Sequence, residues 1–193
     1  GANNTAVGYA AGTAITTGGQ NTAVGSLSGD AITTGTNNTV LGYEAAGKLT
    51  TGTDNVAVGR AALLDTTTHS GNVAVGVESL ENNTADDNTG VGKHSLRANT
   101  TGSSNVGIGR DALLANTEGA GNTAIGAQAL DSNTTGGYSV AIGNRALQSV
   151  TTQGGNVAIG ADSMFTNTTG ASNVAVGSDA LKSNTTASFN TAV

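Results

Sequence analysis

The chain contains no cysteine and no tryptophan, and only one methionine, two phenylalanines and three tyrosines among its 193 residues. Without cysteine a disulfide framework is excluded and the redox compartment is left open. With so few bulky side chains, the core of an ordinary globular domain of this length is excluded too. Charge is scarce, the formal net charge is −6, and no stretch concentrates Lys or Arg, so nucleic acid is not expected as a partner. There is no run of 18 apolar residues and no signal-peptide pattern at Gly1. This stretch is therefore expected neither to insert into a membrane nor to carry an export signal of its own.

What is abundant is Gly, Ala, Thr and Asn, and it is periodic. Near-copies of Asn122-Thr-Ala-Ile-Gly126 begin at Asn4, Asn21, Asn38, Asn55, Asn72, Asn88, Asn105, Asn122, Ser139, Asn156, Asn173 and Asn190. Each step is 17 residues except Asn72 to Asn88, which is 16. A short fixed period is the signature of stacked repeats. Disorder is the other state open to weakly charged, Gly/Asn/Thr-rich sequence, but it gives no reason for Val or Ile to return at one phase. Residues 1–193 are thus expected to form a single array: all-β, a parallel β-solenoid of about eleven coils, a rod of roughly 50 Å at the spacing of paired strands.

Each copy alternates with period two, which predicts a strand. The face with the larger residues is expected to be the inside of the stack: Thr5, Thr22, Val56, Val73, Val106, Val140, Val157 and Val174, with Val7, Val24, Val58, Val75, Ile108, Ile125, Ile142, Ile159 and Val176. The residue between them is Ala, Gly or Val in every copy, from Ala6 and Ala23 through Val40, Ala57, Ala74, Gly90, Gly107, Ala124, Ala141, Ala158 and Ala175 to Ala192. Read as the outward position, this small apolar column predicts close packing against another chain. The glycines that follow, Gly8 to Gly177, mark the points where the backbone turns.

Three residues after each of these glycines stands Ala or Ser without exception, from Ala11 to Ala180, as a crowded interior requires. The next residue is Leu or Met from Leu63 onward but Gly12, Gly29 and Ala46 in the first three coils, which instead carry Ile15, Ile32 and Leu49 three residues later. Both sites are therefore expected to reach the same buried volume. A Thr follows in every coil, from Thr16 to Thr185, commonly in TTG. Aligned Asn side chains such as Asn105, Asn122, Asn156 and Asn173 are expected to hydrogen-bond along the stack. The 16-residue coil with Asp86 and Asp87 should be shortened in its turn, because losing a strand residue would invert the faces. Neither end reads as a capping repeat, so a segment of a longer array, or a protomer whose ends meet others, is expected.

The run Ser139-Val140-Ala141-Ile142-Gly143, followed by Ala146, resembles the SVAIG repeat of YadA-like trimeric autotransporter adhesin heads. Residues 4–12 and 133–136 are similar to the NTAVGYxAG and NTTG repeats of bacteriophage tail fibres. The likeness covers essentially the whole chain, although the period of 17 is longer than that of the adhesin heads, with the extra residues in the TTG turn. It implies a left-handed parallel β-roll, against the usual crossover preference, assembled as a homotrimer.

Motifs of other chemistry are thin. His69 and His94 occupy different phases of the coil and read as solvated turn residues, not a metal pair. Gly107-Ile-Gly109-Arg-Asp-Ala112 matches a dinucleotide fingerprint on paper but is a repeat copy with no βαβ unit around it, and Gly92-Lys93-His94 lacks the rest of a P-loop. Acidic residues recur two positions after Gly, at Glu44, Glu78, Asp111, Asp162 and Asp179, in a column interrupted by His94, Gln128 and Arg145. Asp86-Asp87 is the one candidate for an ion. Asn-X-Thr sequons such as those at Asn99, Asn133, Asn167 and Asn184 mean glycan only in a eukaryotic secretory setting. No catalytic, cofactor-binding or metal-ligating set is assigned, and no enzyme activity is expected, since no acid/base pair is held at fixed geometry. The expected role is structural: an extracellular fibre segment on a virion or bacterial surface, self-associating as a homotrimer, binding a cell-surface glycan or protein receptor by repeated weak contacts. Tyr138, His69 and Phe165 are candidate contact points. The alternative is ligand binding by a flat repeating face, chiefly ice, motivated by the Thr of the TTG turns.

Overall fold

The computed structural model describes residues 1–193. It contains twelve short strands and no helix: β1 (Thr5–Val7), β2 (Thr22–Val24), β3 (Thr39–Leu41), β4 (Val56–Val58), β5 (Val73–Val75), β6 (Thr89–Val91), β7 (Val106–Ile108), β8 (Thr123–Ile125), β9 (Val140–Ile142), β10 (Val157–Ile159), β11 (Val174–Val176) and β12 (Thr191–Ala192). They form one parallel sheet in sequence order, each strand paired only with the preceding and following ones. The chain is therefore a parallel β-solenoid of about eleven turns, as the period predicted. Strand register is unbroken even across the 16-residue coil, where Val73 pairs with Thr89 and Val75 with Val91. The missing residue lies in the turn, so the faces are preserved.

The faces themselves are the reverse of the expectation. In each inner strand only the middle residue is buried: Ala23, Val40, Ala57, Ala74, Ala124, Ala141, Ala158 and Ala175 are all 0 % exposed. The larger Thr, Val and Ile on either side point out, with Val7 58 %, Leu41 45 % and Ile125 37 % exposed. The small column is thus the inside of the stack and cannot be a surface between chains. The physical reason lies in the opposite wall. Leu63, Leu80, Leu96, Leu113, Leu130, Leu147 and Met164 are fully buried and fill a thin interior, so the residue facing them must be small to keep packing dense. At Gly90 an added Cβ would lie 2.6 Å from Ser79 Oγ and 3.2 Å from Leu80 Cγ.

The two-site exchange in the first three coils holds. A Cβ on Gly29 would stand 2.8 Å from Ile32 Cδ1, and Ile32 and Leu49 are as buried as the later leucines. Where the first site is only Ala46, the strand residue of that coil enlarges to Val40.

Each coil turns by repeated use of left-handed backbone. Gly59, after β4, has φ 134°, and a Cβ there would come within 2.5 Å of the Gly76 carbonyl oxygen. Three further positions per coil have φ near +55°, for example Gln128 (59°), Leu130 (52°) and Tyr138 (58°). Leu in this region costs on the order of 1–2 kcal/mol, and it persists because hydrogen bonds to both neighbouring coils fix it. Gln128 N–H donates to Arg110 O in the preceding coil (2.9 Å), and Leu130 N–H to Ala146 O in the following one (3.0 Å).

Candidate functional surface

Two ladders of buried polar side chains run inside the stack. In the first, the Asn that opens each coil accepts, through Oδ1, the backbone N–H of its counterpart one coil on, as Asn105 does from Asn122 (2.9 Å). Its Nδ2 donates across the coil to a turn carbonyl, here Gly119 O at 2.8 Å. This is the predicted ladder. The second was not foreseen: Asn99 donates to Asn83 (2.7 Å), Asn116 to Asn99 (2.8 Å) and Asn133 to Asn116 (2.8 Å). Of the sequon residues, Asn99, Asn133 and Asn167 are buried and offer no glycan acceptor in the folded coil, whereas Asn184 in the last coil is half-buried. Their burial was legible only from their phase, three residues after the buried Leu.

The first Thr of each TTG turn forms another ladder. Thr100 and Thr117 donate both N–H and hydroxyl to the corresponding Thr carbonyl of the next coil, the hydroxyls at 2.9 and 3.1 Å. The protons of these part-buried hydroxyls are thus committed to the neighbouring coil.

Outside, the molecule has two unlike sides. The outward positions of the sheet are Thr, Val, Leu or Ile in every strand and carry no charge. All seven Lys and Arg lie instead in the six residues that follow the turn glycines. There the interrupted acidic column becomes a chain of pairs. Glu78 pairs with Arg60 and with Arg97 (3.4 Å), and Arg97 also with Glu81 (2.7 Å). His94 stands between Glu78 and Asp111, 3.2 Å from each. Asp162 takes Arg145 (2.7 Å) and Lys182 (3.4 Å), and the Arg145 guanidinium lies 5.1 Å from the Phe165 ring centroid. A hydrogen bond from Arg60, strengthened by the charges of Arg97 and His94, holds the Glu78 carboxyl below its ordinary value of 4.5. At Asp162 burial pushes up, but the Arg145 and Lys182 contacts outweigh it and the carboxyl lies below 3.8. Burial raises Asp131.

These contacts change the reading of both histidines. His94 is a paired member of the column, its side chain 22 % exposed, not a solvated turn residue. His69 is half-buried in its turn, with Nδ1 enclosed and unpartnered and its carbonyl taken by Asn55 Nδ2 at 3.0 Å. No three His, Cys, Asp or Glu side chains converge as a metal site. Asp86 is occupied in the fold, accepting the Ser70 N–H at 2.7 Å. Gly107 and Gly109 are a strand residue and a turn glycine of coil seven, with Gly107 leaving space for the Ser95 hydroxyl. Tyr138 is 80 % exposed and Phe165 half-buried under Arg145. The structure encloses no pocket, and no helix is long and apolar enough to cross a membrane.

Fold and surface together define a repeat protein whose side chains stitch coil to coil and whose sheet leaves an uncharged apolar face open. Comparison with family models, curated proteins and solved structures finds no significant match to this chain.

Proposed function

We propose that the chain is a stiff segment of an extracellular fibre, on a virion or a bacterial surface, assembled as a homotrimer of left-handed β-rolls and used for attachment. The observation that carries this is the open sheet face. Twelve strands at about 4.8 Å, three residues wide at about 3.3 Å each, make an uncharged surface of roughly 500 Å² in projection, at the upper end of what a monomer leaves uncovered. Its occupant in this reading is the same face of two further copies, with the charged side turned to water. Trimeric order, handedness and setting follow from the resemblance to adhesin-head and tail-fibre repeats. The role is that of a spacer displaying weak contacts many times over to a glycan or protein receptor, with strength from avidity.

The mass in solution, by light scattering, tests this. Three copies are expected for the intact chain. Ile125→Lys combined with Val58→Lys, both on the outward face, should reduce the mass to one copy while keeping the β-type circular dichroism. A folded single copy in the unsubstituted protein would overturn the reading and move attention to ice or another repeating ligand, for which thermal hysteresis is the assay. That alternative has lost part of its motive, since the first Thr of most TTG turns donates its hydroxyl proton to a carbonyl of the next coil.

A further inference from the structure

Adjacent coils are joined on the turn side by a recurring set of bonds. Between the coil opening at Asn122 and that opening at Ser139, Ser132 N–H donates to Gln148 O (3.1 Å), and Thr134 and Thr135 N–H both donate to Thr151 O (2.6 and 3.3 Å). The Thr134 hydroxyl adds a bond to the same carbonyl at 2.9 Å. One coil further on, the whole set is gone. Ser149, Thr151, Thr152 and Gln153 donate no backbone N–H to any carbonyl, and the carbonyls of Phe165 and Thr168 accept none.

Three residue changes meet in this coil. Ser139 replaces the opening Asn, so no side-chain amide crosses to the turn carbonyl at 153; its hydroxyl only receives Asn156 N–H at 3.3 Å. Val150 replaces the inner-ladder Asn, and Asn133 Oδ1 is left buried without a partner. Gln153 stands where Gly102, Gly119, Gly136 and Gly170 stand, a position where a side chain meets the next coil: at Gly136 an added Cβ would lie 2.6 Å from Gln153 O. The comparable turn with His69 in that place also lacks the Thr67 N–H bond. It is restitched by the Thr66 hydroxyl, which donates to Asn83 O (2.7 Å), and by the Ser70 N–H, which donates to Asp86 Oδ1 (2.7 Å). Val150 has no hydroxyl to do the same.

We infer that the turn of residues 148–153 is a built-in flexure. The coils of Ser139 and Asn156 part at residues 149–153, while β9–β10 pairing, the Leu147 N–H to Ser163 O bond (3.0 Å) and the Arg145–Asp162 pair hold before this segment and the Ser172 N–H to Gly154 O bond (3.4 Å) holds after it. Fewer cross-links at one junction lower the free energy of local opening there relative to its neighbours, so the array yields at this point first. The inference rests on the stack alone and is independent of the fibre reading; a single-copy mass would leave it standing.

Hydrogen exchange followed by mass spectrometry on the intact chain tests it. Residues 148–153 should exchange at least about tenfold faster than the equivalent residues 131–136. Val150→Asn, which offers Asn133 Oδ1 a donor, should slow exchange at 148–153 several-fold. Val150→Thr, nearly the same shape and the counterpart of Thr66, should act in the same direction and serves where the Asn variant fails to fold. Exchange at 148–153 equal to that at 131–136, or a smooth gradient inward from the two ends, would overturn the inference, as would folded variants with exchange unchanged.

Discussion

At the scale of the residue, this fold places side chains where their intrinsic preferences oppose it. Leu63, Leu80, Leu113 and their counterparts are buried in left-handed backbone that favours glycine. Gly12 and Gly29 show the unstrained solution, with the apolar group delivered from three residues later. Only one coil fills both sites with large apolar groups, and there the second is the smaller Val150 beside Leu147. Gly29→Leu alone should therefore lower stability by about 1–3 kcal/mol through overpacking against Ile32. Adding Ile32→Asn recreates the later pattern, and the pair should recover most of the loss, a non-additive result readable in a urea double-mutant cycle. Strict additivity would mean that the two sites do not share a volume.

At the scale of the element, strands of three residues are too short to hold a sheet unaided. Of 125 backbone hydrogen bonds, 22 join strand residues to each other and the other 103 involve at least one residue outside the strands, so the stack is secured around its whole circumference. The Asn ladders add bonds inside it. Asn105→Ala would leave the buried Asn122 N–H without a partner and the Gly119 carbonyl with Asn116 Nδ2 as its remaining donor, and should cost about 1–3 kcal/mol in chemical denaturation. Asn4, part-buried in the first coil, should cost less when replaced in the same way. Equal losses would argue that burial does not set the value of these bonds.

At the scale of the whole molecule, the charged side gives stability a pH dependence of known sign. Glu78 and Asp162 have carboxyl values below the ordinary 4.5 and 3.8, so they bind fewer protons folded than unfolded. Their contribution is present above those ordinary values and is lost as pH falls through and below them. Asp131, raised by burial, works in the opposite direction and offsets part of this. The melting temperature should fall on acidification from about pH 5 downward, and Glu78→Gln should flatten the fall. A melting temperature independent of pH between about 6 and 3 would remove the paired column as a source of stability. On the other side, the uncharged sheet is the feature whose use only the mass in solution will decide.

Much of this was legible in the sequence. The 17-residue period, the strand at each Asn, the turn glycines, the Asn ladder, the shared interior of Gly29 and Ile32 and the shortened turn before Asn88 all follow from steric rules that act within one repeat and recur by translation. Which face of the strand was inside did not follow. Alternation at period two says that Ala124 and Ile125 point opposite ways, and hydrophobicity favours burying the larger. The decision belonged to the other wall of the coil: once Leu130 occupies a thin interior, only Ala or Gly fits opposite, and Ile125 is forced out. The pairing of His94 between Glu78 and Asp111 and the lost bonds at Thr151 have the same origin. Each depends on what the neighbouring coil presents at a given height, and that is set by stacking rather than by position along the chain.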